Sequence, residues 1–352
     1  MIPPEVAAAW GWLPTAITAL AGGLINATFV VHDAERPIAV VQRLHPVFGA
    51  EVNLDLEAVT AHLAARGLET PRLLRTLAGE PWLVHEGVWR ALTWVDGDSV
   101  DAVPDPAWAR AAGEQVGRFH VALGDFEYDY RFVRAGVHET AAHLAKLHAR
   151  IAAGAPEPRE ARELYAAQEL REAVELGEEI AAAAAELPAL PTLPRRHVHG
   201  DLKISNVRFR RDPLRAVALL DLDTLGKGVI AFELGDALRS WCNPRGEDEA
   251  AARFELPIFA AAIAGFRSVA DPIVTPVELA SIAIGLETVC IELAARFAVD
   301  AFDDAYFGWN PAKFPSRRAH NLVRARGQLA LGLAVRAAKS EVVELLSTSR
   351  TA

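Results

Sequence analysis

The stretch that most constrains this chain is His197-Val198-His199-Gly200-Asp201-Leu202-Lys203-Ile204-Ser205-Asn206, followed by Leu219-Leu220-Asp221-Leu222-Asp223. Between them, Val207-Arg208-Phe209 reads as a short strand, Arg210-Arg211-Asp212-Pro213 as a turn, and the apolar run from Ala216 to Leu220 as a second, buried strand. A loop, a strand, a turn, a strand and a carboxylate return the chain to where it began. Asp201 and Asn206, five positions apart on the loop, thereby meet Asp221. Any fold this sequence adopts has to accommodate that convergence of two carboxylates and an amide.

Two carboxylates and an amide oxygen suit one kind of chemistry. Phosphoryl transfer asks little covalent work of a protein: a carboxylate to orient and deprotonate the attacking hydroxyl, and ligands for the Mg²⁺ that neutralises the phosphates. Mg²⁺ takes hard oxygens and keeps several waters, so one or two carboxylates and an amide suffice. The protein-kinase catalytic loop has an Asp and an Asn at this same spacing and adds a metal-binding Asp from a strand end. On this reading Asp201 is the base, Asn206 and Asp221 hold Mg²⁺, and Asp223 is the alternate if the register slips by two. Each residue alone has an ordinary use, since Asp and Asn are turn formers and Asp-x-Asp can cap a strand. A zinc hydrolase is the sharper rival, because His197, His199 and Asp201 could supply ligands. The position after that Asp is Leu202, however, and no further Cys/His cluster completes the set.

These residues, with Gly235-Asp236-Ala237 after them, resemble the aminoglycoside phosphotransferase and choline kinase superfamily. Gly23-Leu24-Ile25-Asn26-Ala27-Thr28-Phe29, Val41-Gln42-Arg43-Leu44, Asp221-Leu222-Asp223-Thr224, Gly235-Asp236-Ala237-Leu238-Arg239 and His320-Asn321-Leu322-Val323-Arg324-Ala325-Arg326 are most similar to its N-acetylhexosamine 1-kinase branch. The resemblance implies an ATP-dependent small-molecule kinase, and on the branch an acceptor that is the anomeric hydroxyl of an N-acetylhexosamine. Fold similarity does not fix a substrate. An aminoglycoside, choline, homoserine or an unacetylated amino sugar stays open as acceptor, as does a nucleotide-binding regulator without turnover. The resemblance also makes Asp236 a structural anchor for the catalytic loop.

The expected architecture is α+β and two-lobed, like a protein kinase. A small N-terminal antiparallel β lobe with one helix (1–96) binds the nucleotide, and a large, mainly helical lobe (97–352) carries the catalytic loop and acceptor site. After a lead-in arm to about residue 14, Ala16–Leu20 and Thr28–Val31 read as strands around Ala21-Gly22-Gly23-Leu24-Ile25-Asn26. There Gly22, Gly23 and Asn26 can bring backbone amides close to phosphate. Pro37–Leu44 is the third strand, where kinases usually carry a phosphate-binding Lys. This chain has none there; Gln42 or Arg43 stands in the neighbourhood, and strand alternation lets only one of them face the nucleotide. Arg43 is favoured by charge, with Glu57 or Asp55 of the helix Asn53–Arg66 as its partner. Leu73–Leu77, Trp82–His85 and Trp89–Leu92 complete the antiparallel sheet, and Thr93 to Val95 offer backbone groups to adenine, with Trp94 either flanking it or in the core.

Beyond Pro104 the pattern is helical: Trp108–Leu123, Thr140–Ala153, Glu160–Leu187, Glu249–Arg267, Pro276–Phe297 and Ser316–Lys339. Trp309 lies in an aromatic loop between the last two, and His320, Arg324 and Arg326 near the start of the last are expected to line the acceptor pocket; Trp309, His320 and Arg324 are the candidate acceptor residues. A net charge of −10 argues against nucleic acid as the main partner but does not forbid an anionic nucleotide. Two cysteines without a C-x-x-C give neither a disulfide framework nor a thiolate zinc site. The start Met1-Ile2-Pro3-Pro4-Glu5 lacks a basic n-region and apolar core, and no uncharged run reaches the ~18 residues of a membrane span. A cytoplasmic enzyme with a small-molecule substrate and no membrane partner is expected; oligomeric state is not readable.

Overall fold

A computed structural model describes residues 2–20, 26–134, 136–154 and 164–347. The N-terminal part is built on alternation. On β3 (Arg36–Arg43), Ala39 and Val41 are buried on one face with Val31 of β2 (Ala27–Asp33) and Trp89 and Ala91 of β6 (Val88–Thr93). Ile2, Val6 and Trp10, in and around α1 (Pro4–Ala9), cover that face. The opposite face of β3 and β6 presents Gln42 and Arg90, which are direct cross-strand partners. Among the described residues the sheet also holds β1 (Ile17–Ala19), β4 (Leu73–Leu74) and β5 (Leu83–Val84); its six strands run in the order β1-β2-β3-β6-β4, all antiparallel, with β5 also on β6. β4 and β5 pair with opposite ends of β6. The lobe's helix α2 (Val52–Ala65) packs Leu56, Val59 and Leu63 into the core shared with the C-terminal part.

The C-terminal part is mostly helical. Asp105 caps α3 (Pro106–Ala122), accepting from Ala107 N at 2.7 Å. That helix lies along α7 (Leu256–Ala270), and α6 (Ile230–Trp241) lies along α8 (Pro276–Asp303). The α6–α8 approach is close enough that a Cβ on Gly285 would stand 1.9 Å from the Ala231 carbonyl oxygen. Helices α4 (Thr140–Ala153), α5 (Leu164–Ala185) and α9 (Arg317–Ala337) complete a second cluster around Phe297 and Leu322. The helix expected over Glu249–Arg267 begins only at Leu256, leaving 243–255 as a loop, and the last expected helix stops at Ala337, with α10 (Lys339–Ser347) following. Two short ribbons frame the catalytic loop: β7 (Arg196–Val198) with β10 (Gly226–Gly228), and β8 (Val207–Arg211) with β9 (Leu214–Leu219). No helix among the described residues is long and apolar enough to cross a membrane.

Candidate active site

The loop after β7 is held from below by one buried carboxylate. Glu233, in the first turn of α6, accepts from the backbone N–H of His199 at 2.8 Å and of Gly200 at 3.0 Å. Burial works against its charge, but His120, 3.6 Å away, and the donors of the loop outweigh it, and the carboxyl stays below the usual range. This corrects the expectation for Asp236. One helical turn further on, Asp236 pairs with Arg239 at 3.0 Å instead. His199 is fully buried, accepts from Asp201 N through Nδ1 at 3.3 Å, and reaches Leu220 O through Nε2 at 2.8 Å. Those partners assign the proton to Nε2. Thr224 Oγ1 closes the circuit on His199 O at 2.8 Å. Gly200 has φ +80°, and a Cβ there would meet Thr224 O at 2.6 Å, so only glycine fits between the two loops.

That scaffold brings Asp201, Asn206 and Asp221 together. Lys203 Nζ donates to Asp201 Oδ2 at 2.9 Å, and Asn206 Nδ2 donates to Asp201 O at 2.8 Å and to Oδ2 at 3.2 Å. With its nitrogen committed to Asp201, the Asn206 amide has Oδ1 as the atom to offer a cation. Asp221 ends the β9 hairpin in the left-handed region, φ 60° and ψ 57°. Burial pushes its carboxyl up, and Asp223 and Asp201 push it further, against Lys203 and Arg90. A desolvated group of carboxylates short of positive charge, with a neutral amide oxygen beside it, matches the hard-oxygen donor set of Mg²⁺. Among the described residues no group of three or more His, Cys, Asp or Glu side chains is arranged to hold a metal. Both histidines of the zinc alternative are committed to protein: His197 contacts Phe126 O at 2.6 Å and Tyr130 Oη at 2.8 Å.

Asp223 is engaged elsewhere. It is 1% exposed, forms a bidentate ion pair with Arg90 of β6, and accepts from Asn26 Nδ2 at 2.7 Å. Arg90, also 1% exposed, donates to Gln42 Oε1 through Nε at 2.9 Å and through Nη2 at 2.7 Å. Asn26 Oδ1 receives His45 N at 2.9 Å, so both ends of that side chain are used. Gln42 is therefore the β3 residue that faces the catalytic turn. Arg43 points the other way, exposed, with its guanidinium on the Glu86 carbonyl. Neither expected partner reaches it, because Glu57 forms a bidentate pair with Arg75 and Asp55 accepts from Tyr128 Oη and the Arg131 and Phe132 N–H groups. Gly22 and Gly23 lie outside the described residues. Thr93 and Val95 sit where β6 leaves the sheet: Thr93 N donates to Arg72 O at 2.8 Å, and Val95 O accepts from Arg208 Nε at 3.0 Å. Trp94 lies under the Arg208 guanidinium, 4.8 Å from ring centroid to Cζ.

On the other side of Asp201 stands the 243–255 loop. Burial opposes the charge on Lys203, yet the carboxylates of Asp201, Asp221 and Glu247 together raise its proton affinity. Glu247 also accepts from Arg239 at 2.6 Å. Its neighbour Asp248 receives His320 Nε2 at 2.7 Å and Arg324 Nε at 2.9 Å, both on Oδ1. His320 is buried and stacks on Phe314, centroids 3.9 Å apart, and Arg324 reaches Gly308 O at 2.8 Å. Trp309 is half-buried in the same loop, whereas Phe307 packs on Phe297 at 4.4 Å between centroids. His320 and Arg324 thus meet on Asp248, the neighbour of Glu247, whose charge is felt at Lys203.

Sequence reasoning missed Arg90, Glu233, Lys203 and Asp248. Arg90 carried a usable signal: a strand whose other face is Trp89 and Ala91 leaves an Arg aimed at the domain interior.

A sequence model of the phosphotransferase enzyme family, APH, matches residues 16–269. A homoserine kinase from Methylobacterium radiotolerans is 27% identical over 288 residues, covering 81% of this chain and 79% of that protein. An aminoglycoside phosphotransferase from Alicyclobacillus acidocaldarius superposes with TM-score 0.61 at 18% identity, covering 97% of each chain. The amicoumacin kinase hAmiN, in complex with AMP-PNP, Ca2+ and Ami, also gives 0.61, at 16% identity over 93% of this chain and 91% of that one. With the family match running from the first strand through α7, this chain belongs to the phosphotransferase enzyme family and is an ATP-dependent small-molecule kinase that phosphorylates a hydroxyl group.

Proposed function

We propose that the acceptor is an N-acetylhexosamine and that its anomeric hydroxyl receives the γ-phosphoryl group of ATP. The division of labour is that of a small nucleotide lobe, residues 1–96, against a catalytic lobe, 97–352. Adenine is read by backbone groups between Thr93 and Val95, and Asn26, with Gly22 and Gly23, contacts the phosphates. Asn206 and Asp221 would hold Mg²⁺, whose charge would neutralise the phosphates. Asp201 accepts the proton of the attacking hydroxyl. Lys203 steadies the Oδ2 of Asp201, and Asn206 fixes the loop carbonyl beside it. Transfer is in line, without a phosphoenzyme. The reaction takes place in the cytoplasm on a soluble small molecule.

The observation that supports the sugar reading is the Asp248 cluster: one donor each of His320 and Arg324 meets a single oxygen of Asp248, which leaves Oδ2 for a sugar hydroxyl. Half-buried Trp309, one residue after the Gly308 carbonyl that Arg324 also reaches, is the candidate apolar partner for a sugar ring. Such a set suits an uncharged polyol with one apolar face. The homoserine kinase relative favours a second reading, homoserine, which would need separate partners for an ammonium and a carboxylate. The test is ADP release with MgATP against N-acetylglucosamine, N-acetylgalactosamine, glucosamine, homoserine, choline and kanamycin, with ³¹P NMR of the product. Turnover on an N-acetylhexosamine with phosphate on the anomeric carbon is expected. Turnover on homoserine alone would replace the acceptor and keep the catalytic assignments.

A further inference from the structure

The chain has no Lys on its third strand, yet its cleft is not without a cation. Arg90 occupies the cross-strand position directly opposite Gln42, on the same face of the sheet. Its guanidinium is fully buried and divided between two acceptors: both oxygens of Asp223, and Oε1 of Gln42. Asn26, just before β2, donates to the same Asp223 carboxylate. Two residues from the sheet side therefore converge on Asp223, with Gln42 behind Arg90. Asp223 is two positions after Asp221, whose backbone is left-handed, uncommon outside glycine although Asp is among the residues that tolerate it.

We propose that Arg90 is a positioning residue for the divalent cation: by clamping Asp223 to the sheet of the nucleotide lobe it holds the left-handed turn that aims the Asp221 carboxylate. The inference rests on the assignment of Asp221 as a metal-holding residue. A bidentate guanidinium fixes the carboxylate plane, which an ammonium at the same place does not do. Partners that orient a metal ligand from outside characteristically matter by about 10–100-fold in metal affinity or activity.

The experiment compares the parent chain with Arg90→Lys, with Arg90→Gln, with Gln42→Lys/Arg90→Gln, and with Val335→Ala, a core truncation in α9 remote from the clamp. Mn²⁺ binding in the presence of ADP is read from the free-ion EPR signal, alongside kcat, KM for MgATP and urea unfolding. Arg90→Lys should weaken Mn²⁺ binding by about 10-fold or more, while Val335→Ala, destabilised comparably, leaves it within about 2-fold. Moving the cation across the ladder in Gln42→Lys/Arg90→Gln should recover part of the loss relative to Arg90→Gln. Mn²⁺ binding unchanged in Arg90→Lys, or weakened equally in Val335→Ala, would overturn the inference and leave Arg90 a structural ion pair. Asp221→Asn separates the two layers. If it leaves Mn²⁺ binding intact, the metal assignment itself fails; if it abolishes binding while Arg90→Lys does not, only the positioning role fails.

Discussion

Replacing Glu233 by Gln tests the proposition that one buried carboxylate sets the catalytic loop. The side chain is isosteric, so packing against α3 and β7 is preserved. The wild-type carboxylate accepts two backbone N–H bonds, one on each oxygen, at 2.8 and 3.0 Å. Glutamine has one acceptor oxygen and one NH₂, so either His199 or Gly200 must face a donor. A hydrogen bond to a charged group contributes about 1.5–3 kcal/mol, and a buried donor left unsatisfied costs about 1–3 kcal/mol. One lost bond and one orphaned N–H therefore total about 2.5–6 kcal/mol. Water cannot relieve this readily, because Glu233 is 4% exposed and His199 0%. Part of the strain can be relaxed by moving the loop, which displaces Asp201. Urea unfolding should show a loss of about 2–4 kcal/mol, and ADP release should show kcat falling at least about 10-fold with KM for MgATP less affected. Stability within 0.5 kcal/mol of the parent (about the scatter of neutral surface changes) together with unchanged kcat would refute the reasoning.

Other consequences follow from the same geometry. Gly285→Ala forces a methyl group to within 1.9 Å of the Ala231 carbonyl unless α6 and α8 separate; overpacking of this kind should cost about 3 kcal/mol in urea unfolding. Arg43→Ala should leave KM for MgATP within about 2-fold, because Arg43 faces outward onto Glu86; a tenfold rise would return Arg43 to the phosphate site. Burial opposes the Glu278 charge, but Arg196 and Thr275 outweigh it and hold the carboxyl below its ordinary value. The stability this pair contributes is present above the unfolded-state value and is lost as pH falls through the folded one. Urea midpoints measured down that acid limb should fall less steeply in Arg196→Met/Glu278→Gln than in the parent.

The strand–turn–strand arrangement between residues 201 and 221 was legible in the sequence because its signal is local. Asp201, Asn206 and Asp221 are fixed by spacing and by one hairpin, and that hairpin appears as β8 and β9. Helix Thr140–Ala153 emerged with the bounds its composition implied. What was hidden is long-range. Asp236 and Glu233 lie one turn apart on the same helix face, and only the packing of α6 beneath the loop selects Glu233. Strand alternation allowed either Gln42 or Arg43 inward, and charge favoured the wrong strand for the cation: the buried guanidinium comes from β6. Asp55 and Glu57 were both plausible partners for a strand cation, but their donors come from residues 73–77 and 18 positions away. The split between α9 and α10 left no periodicity break that the apolar pattern could register.

In the proposed mechanism Asp201 takes the acceptor proton in a site whose nucleotide binding does not depend on it. Asp201→Asn keeps the shape and can keep a contact to Lys203 and Asn206. Single-turnover ADP formation with MgATP and the acceptor found in the panel, measured beside equilibrium binding of MgADP, separates chemistry from binding. The account predicts a loss of about 10²–10⁴-fold in the transfer rate with MgADP affinity changed by less than about 3-fold. Transfer at the parental rate would contradict it, and so would loss of nucleotide binding in parallel with activity.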